Sequence, residues 1–163
     1  MGHTNLSQLR EIISPANPLL KVFRRALAEG TTREGWLAVE GPFLIEEALR
    51  ASDRATIHSV VISDEGLERL QGLVGHLPAE VEAARVPDRL FRQITQTESP
   101  QGIAALVQVA RRSLDSFLRE SNVLLLVVCG LQDPGNLGTI MRSAQAFGAS
   151  ALITLEGTVR PFN

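Results

Sequence analysis

The feature that most constrains this chain is an apolar run that stops abruptly at a turn. Val123-Leu124-Leu125-Leu126-Val127-Val128-Cys129 carries no charged or amide side chain, the pattern of a strand covered on both faces. Gly130 follows, then the turn-forming Asp133-Pro134-Gly135-Asn136, then helical spacing from about Leu137 to Phe147. Gly148 falls where a helix end favours positive φ, and Ala151 to Leu155 gives the next strand. Strand, helix and strand in this order predict a βαβ unit with a right-handed crossover.

Upstream, the same alternation continues. Residues 6–13 and 18–28 have helical spacing, with Leu19, Leu20, Val22, Phe23, Ala26 and Leu27 on one stripe and Asn17-Pro18 as cap and first helical residue. Strands are predicted over 36–40, 57–63, 81–86 and 103–109, and helices over 43–50, 64–77 and 88–94. Gly66, Gly72 and Gly75 weaken the second of these helices. Leu114 to Glu120 reads as a helix or linker. Helices alternating with strands predict an α/β fold with a mostly parallel sheet.

Composition narrows the function classes. Hydrophobic residues at 44% and charged residues at 21% describe a globular chain. One cysteine, Cys129, excludes an intramolecular disulfide, and no Cys/His cluster has metal-ligand spacing. The start lacks a secretion signal, and the longest apolar run is too short to span a bilayer, so a soluble cytoplasmic protein is expected. The net charge of −2 neither favours nor opposes a nucleic-acid partner, because binding follows local patches. Arg10, Lys21, Arg24, Arg25 and Arg33 gather near the N-terminus, and Arg85, Arg89, Arg92, Arg111 and Arg112 lie in the middle. Lys21 is the only lysine among 16 basic residues. The arginine fork suits phosphate, although a GC-rich coding sequence gives the same bias.

The segment from Asp133 to Ala144 lies at the carboxyl end of a buried strand and opens a helix, where α/β sheets bind ligands. Asn136 is expected to cap that helix and leave its positive end facing an anion. Leu137, Ile140, Met141, Ala144 and Phe147 form the stripe expected to be buried, with Gly138, Arg142 and Gln145 opposite. A glycine one turn before Arg142 leaves that face bare for a ligand. The guanidinium suits a phosphate or the oxyanion of a ribose hydroxyl; with a pKa above about 12 it is a poor free base. On spacing alone, a good turn followed by a solvated arginine explains the segment equally well. It has neither G-x-G-x-x-G nor the lysine of a P-loop. His58 and His76 have no partner at catalytic spacing and read as structural or solvated; Glu40 reads as a strand end and Glu46 as a helix-surface residue.

The segment resembles the first conserved motif of the SpoU branch of the SPOUT methyltransferases, D-P-x-N-x-G-x-x-x-R-[TS]-A followed by A-F-G. The matching residues are Asp133, Pro134, Asn136, Gly138, Arg142, Ser143 and Ala144, then Ala146, Phe147 and Gly148. Ile13-Ser14, Asn17-Pro18 with Lys21, Val39-Glu40-Gly41-Pro42 before Glu46-Glu47-Ala48-Leu49, and Pro100-Gln101-Gly102-Ile103 resemble the family's N-terminal substrate-binding domain. The resemblance implies a ribosomal-protein-like α/β/α RNA-binding domain over 1–112, a linker over 113–121 and the first βαβ part of a knotted α/β methyltransferase domain over 122–163. It implies transfer of a methyl group from S-adenosylmethionine to a ribose 2′-hydroxyl of rRNA or tRNA, and a homodimer. Asn136 and Arg142 are the implied catalytic residues, and Lys21, Arg24, Arg25, Arg33 and Arg142 the expected RNA contacts. Gln145 stands where the family often has an acidic residue, and Met141 where it has Ile or Leu.

The family's second and third motifs, which supply the cofactor loop and the knot, have no counterpart before Asn163. The chain is therefore expected to be an incomplete form, inactive by itself, with its cofactor-binding residues beyond Asn163. The alternatives are a non-catalytic RNA-binding module and a small nucleotide-binding α/β protein using the helix start near Asn136. Binding of S-adenosylmethionine after completion of the domain separates the first from the enzyme, and saturable nucleotide binding identifies the second.

Overall fold

The computed structural model describes residues 9–110 and 112–161. The chain divides into two compact units, Met1–Ala110 and Arg111–Asn163.

The first unit is built on a five-stranded sheet in the order β1-β4-β3-β5-β2. The strands are β1 (Arg10–Glu11), β2 (Leu37–Glu40), β3 (Ala55–Ser63), β4 (Glu82–Val86) and β5 (Ile103–Val109), joined by α1 (Pro18–Glu29), α2 (Pro42–Arg50), α3 (Asp64–Gly75) and α4 (Asp88–Ile94). Side chains of α1 and α4 meet one face of the sheet around Phe23, Val61, Phe91 and Leu106. Side chains of α2 and α3 meet the other around Ile45, Val60, Val74 and Ile103. The result is the three-layer α/β/α arrangement expected from the sequence. Each fully covered Phe or Leu contributes about 1.5–3 kcal/mol.

Three details differ from expectation. The sheet is mixed: β1, β4 and β3 run parallel, but β5 is antiparallel to β3 and β2 to β5. A helix as short as α4 advances only about 10 Å, and the chain re-enters the sheet with Ile103 beside Ile62, at the end where β3 leaves it. Arg10–Glu11 form a strand instead of continuing a helix over 6–13, whose first three residues lie outside the described ones. In α1, Leu20, Phe23 and Ala26 are buried as the stripe requires, whereas Val22 is exposed. The start of α1 is as expected: Asn17 accepts from the Leu19 N–H at 2.9 Å and Pro18 occupies the first helical position.

Strict alternation along β3 is broken once. Ile57 and Val60 pack in the same core cluster although they are three positions apart. The register opposite β5 jumps between Ile57 and Ser59, so His58 is the extra residue of a β-bulge. Elsewhere the sheet packs tightly against α3. Gly102 has φ +81°, and a Cβ there would stand 2.8 Å from the Cα of Gly66.

The second unit contains α5 (Leu114–Leu118), β6 (Leu125–Val128), α6 (Pro134–Ala146) and β7 (Ala151–Thr154). β6 and β7 are parallel, with Leu125 beside Ala151 and Val128 beside Thr154. Gly148 follows α6 at φ +76°, the cap conformation its position predicts. The expected two-sided cover of the apolar run is not seen. Val127 is 54% exposed and Phe147 83%, and Leu137 is the one buried residue of α6. A pair of strands with one helix has too few neighbours, among the described residues, to cover these side chains. No helix among the described residues is long and apolar enough to cross a membrane.

Candidate functional site

The local chemistry of Asp133-Pro134 fixes the start of α6. Pro134 has the helical φ built in and no N–H to satisfy. Asp133 thus becomes the last extended residue, and its Oδ1 accepts from the Asn136 N–H at 2.6 Å. This corrects the sequence expectation: Asp133 is the cap, and Asn136 lies exposed in the first turn with its side chain free of that task. The Asp-Pro order carried the signal, because a capping carboxylate reaches the N–H two or three residues on.

One turn later, the Thr139 hydroxyl donates to the Gly135 carbonyl at 3.0 Å and accepts from Arg142 Nη2 at 3.1 Å. Arg142 Nη1 lies 3.5 Å from the position a Cβ on Gly138 would take. The guanidinium is therefore turned back along the helix toward its N-terminus, over the bare glycine. Arg142 is exposed and lines the hollow between α6 and β7, together with Gly138, Met141, Gln145, Ala151 and Leu152. Thr139 was not singled out from sequence, since a helix-surface threonine has no distinguishing pattern.

The loops beyond both strands meet near this helix start. Val159 N–H donates to the Leu131 carbonyl at 2.7 Å, Thr158 Oγ1 to Val128 at 3.2 Å, and Gln132 Nε2 to Gly157. The hollow on the other side of α6 is lined by Leu125, Thr139, Ile140, Ser143, Ala144 and Phe147. Among the described residues no group of three or more His, Cys, Asp or Glu is placed to hold a metal ion.

In the first unit, Lys21, Arg25 and Arg33 line one hollow between α1 and the loop after it, with Thr32 and Glu34. Arg24 is not part of it; its Nε donates to the Gln93 carbonyl at 3.1 Å. Arg25 is paired with Glu29 at 2.8 Å. Lys21 and Arg33 form no salt bridge among the described residues. The Glu34 carboxyl is held below its ordinary range by its own backbone N–H, the Thr32 hydroxyl and the Arg33 charge. At the end of the sheet the Trp36 and His58 rings stack, with centroids 3.9 Å apart and planes within 10°. Sequence reasoning missed this pair because Trp36, in the loop before β2, and His58, at the bulge of β3, are far apart in sequence and meet only in the folded unit.

The comparisons with known proteins divide the chain in the same order. Residues 24–105 match the family described as MRM3-like substrate binding domain, and residues 123–163 match the SpoU rRNA Methylase family. A 23S rRNA (guanosine(2553)-2′-O)-methyltransferase of Bacillus subtilis is 28% identical over 95% of this chain and 58% of its own length. An uncharacterized tRNA/rRNA methyltransferase of Synechocystis is 32% identical over 95% of this chain and 56% of its own. The crystal structure of an AdoMet-bound rRNA methyltransferase from Sinorhizobium meliloti superposes with a TM-score of 0.70 at 26% identity, over 95% of this chain and 57% of that one. The chain spans less than two thirds of each of these relatives. With residues 24–105 and 123–163 matching these two family descriptions, the chain belongs to the SpoU methylase family.

Proposed function

We propose that the protein to which this chain belongs methylates a ribose 2′-hydroxyl of rRNA, using S-adenosylmethionine. The carrying observation is Arg142, held by Thr139 over Gly138 beside the capped start of α6. Within that reading, residues 1–112 recognise RNA, 113–121 connect, and 122–163 begin the methyltransferase domain. The working form is a cytoplasmic homodimer, a reading supported by the family resemblance.

Among the described residues, those beside α6 do not by themselves make a cofactor seat. The two hollows beside α6 are lined mainly by apolar side chains and contain no carboxylate for the cofactor's ammonium or ribose. What this chain supplies is positioning and charge. Arg142 holds the phosphate or ribose next to the reacting hydroxyl and stabilises the negative charge on its oxygen as the proton passes to solvent water, and Asn136, exposed in the first turn, orients the same nucleotide. A preorganised donor at a developing oxyanion is worth about 10²–10³ in rate.

Mapping ribose methylation in RNA from cells lacking the full gene tests this. One 2′-O-methyl mark in rRNA should disappear and return with the wild-type gene. An unchanged map rejects the enzyme and leaves the RNA-binding module as the alternative.

A further inference from the structure

We propose that the stacked Trp36–His58 pair is a seat for one unpaired RNA base, with Lys21 and Arg33 holding the flanking phosphates. This deepens the role given above to the first unit and rests on it.

The pair is built at a cost to the sheet. His58 occupies the extra position of the bulge, where the β3–β5 register skips from Ile57–Val107 to Ser59–Leu106. Bulges give up pairing and re-aim a side chain. Here the re-aimed side chain is an imidazole, brought onto the face where Trp36 packs against the core beneath α1. Neither ring is buried. His58 Nε2 is fixed at 2.8 Å from the Gln108 Oε1, so the upper ring is already oriented before anything lands on it.

The cations are anchored to the same loop. Thr32 N–H donates to the Trp36 carbonyl at 2.9 Å, and the Trp36 N–H donates to Thr32 Oγ1 at 3.2 Å. Thr32 also lines the hollow that holds Lys21 and Arg33. These two are exposed and outside any salt bridge among the described residues, whereas Arg24 and Arg25 have protein partners. Glu34 lines that hollow too, and its ionised carboxylate repels phosphate, so the attraction there comes from Lys21 and Arg33. An aromatic platform beside a cationic groove is how proteins hold single strands. A duplex keeps its bases stacked on one another and gains only the phosphate contacts.

Trp36 is the only tryptophan, so the seat reports on itself. The 163-residue chain is titrated with a labelled oligouridine of about ten nucleotides and with a blunt RNA hairpin of equal charge, following anisotropy and Trp36 emission. Oligouridine should quench Trp36 saturably, and His58→Ala should weaken its binding about 5- to 150-fold, the range of one base–aromatic stack. His58→Phe should restore it, and neither variant should change hairpin binding. Trp36→Phe, checked for folding by circular dichroism, should retain the weaker stack. If His58→Ala binds oligouridine like the wild type, or weakens the hairpin equally, the seat is wrong. Should Lys21→Ala still weaken both RNAs in that case, the RNA-binding reading survives. Absence of binding to either RNA would overturn both.

Discussion

The guanidinium of Arg142 rests on the hydroxyl of Thr139 at 3.1 Å, and that hydroxyl is itself tied to the Gly135 carbonyl. The relay fixes the arginine over Gly138 instead of letting it wander in solvent. An exposed bond of this kind is worth about 0.5–1.5 kcal/mol, so its value lies in placement more than in stability. In the complete protein, Arg142→Ala should lower methyl transfer by about 10²–10³. Arg142→Lys should recover little of this, because an ammonium cannot replace the planar fork. Thr139→Val should cost about tenfold, the equivalent of one positioning bond. Mass spectrometry of 2′-O-methylnucleosides from a defined rRNA fragment measures all three; full activity of Arg142→Ala would remove the arginine from the mechanism.

The basic residues near α1 are not equivalent. Lys21 and Arg33 face the hollow free of salt bridges among the described residues, whereas Arg24 is bonded to Gln93. Lys21→Ala and Arg33→Ala should each reduce the slope of log K against log salt by about one, as expected for one lost phosphate contact. Arg24→Ala should leave that slope unchanged. Anisotropy titrations over a salt series distinguish them, and an equal effect from all three would mean a diffuse field instead of defined contacts.

Two glycines of the first unit should respond oppositely to alanine. At Gly102 the φ of +81° and the 2.8 Å approach to the Gly66 Cα leave no room for a methyl group, so Gly102→Ala should destabilise by about 1–3 kcal/mol or more. Gly72 lies in α3 with nothing within 4 Å of a Cβ. Gly72→Ala should stabilise by about 0.5–1 kcal/mol. Urea unfolding followed by Trp36 emission gives both values.

Asp88 makes part of the first unit's stability depend on pH. Desolvation would raise its pKa, but the Ser63 hydroxyl, the Glu65 N–H at 3.1 Å and the Arg92 charge outweigh it and hold the carboxyl below its ordinary value. A carboxyl lowered by folding contributes stability above its unfolded pKa, about 3.9, and loses it as pH falls through the lower folded value. The Tm difference between wild type and Asp88→Asn should therefore be constant above about pH 5 and shrink steadily toward pH 3. A difference that stays constant down to pH 3 would contradict the assignment.

Much of the first unit was legible because its elements carry local signals. Asn17-Pro18 announces α1, and the β-branched run over 57–63 announces β3. Strand direction was not legible, because periodicity is blind to orientation and the return through the short α4 is a tertiary outcome. In the second unit the motif from Asp133 to Gly148 was found as a strand-turn-helix, yet its cap was assigned to Asn136 when proline geometry selects Asp133. The exposure of Val127 and Phe147 escaped prediction because apolar sequence states what a side chain needs, not what is there to cover it. Arg25 and Glu29 stand four apart on one helix, a pair that spacing alone offers, but the Gln93 carbonyl that occupies Arg24 comes from a distant segment, so counting charges could not tell this cation from an available one.

The bulge in β3 also separates two tasks within a single strand. Ile57 and Ser59 already face neighbouring rungs of β5, Val107 and Leu106. Excising His58 would therefore leave every hydrophobic contact in phase and close the ladder into an uninterrupted zipper. A chain shortened by that one residue should be as robust as its parent and grip single-stranded RNA about 5- to 150-fold more loosely, which makes this strand a place where evolution can tune recognition without retuning the scaffold.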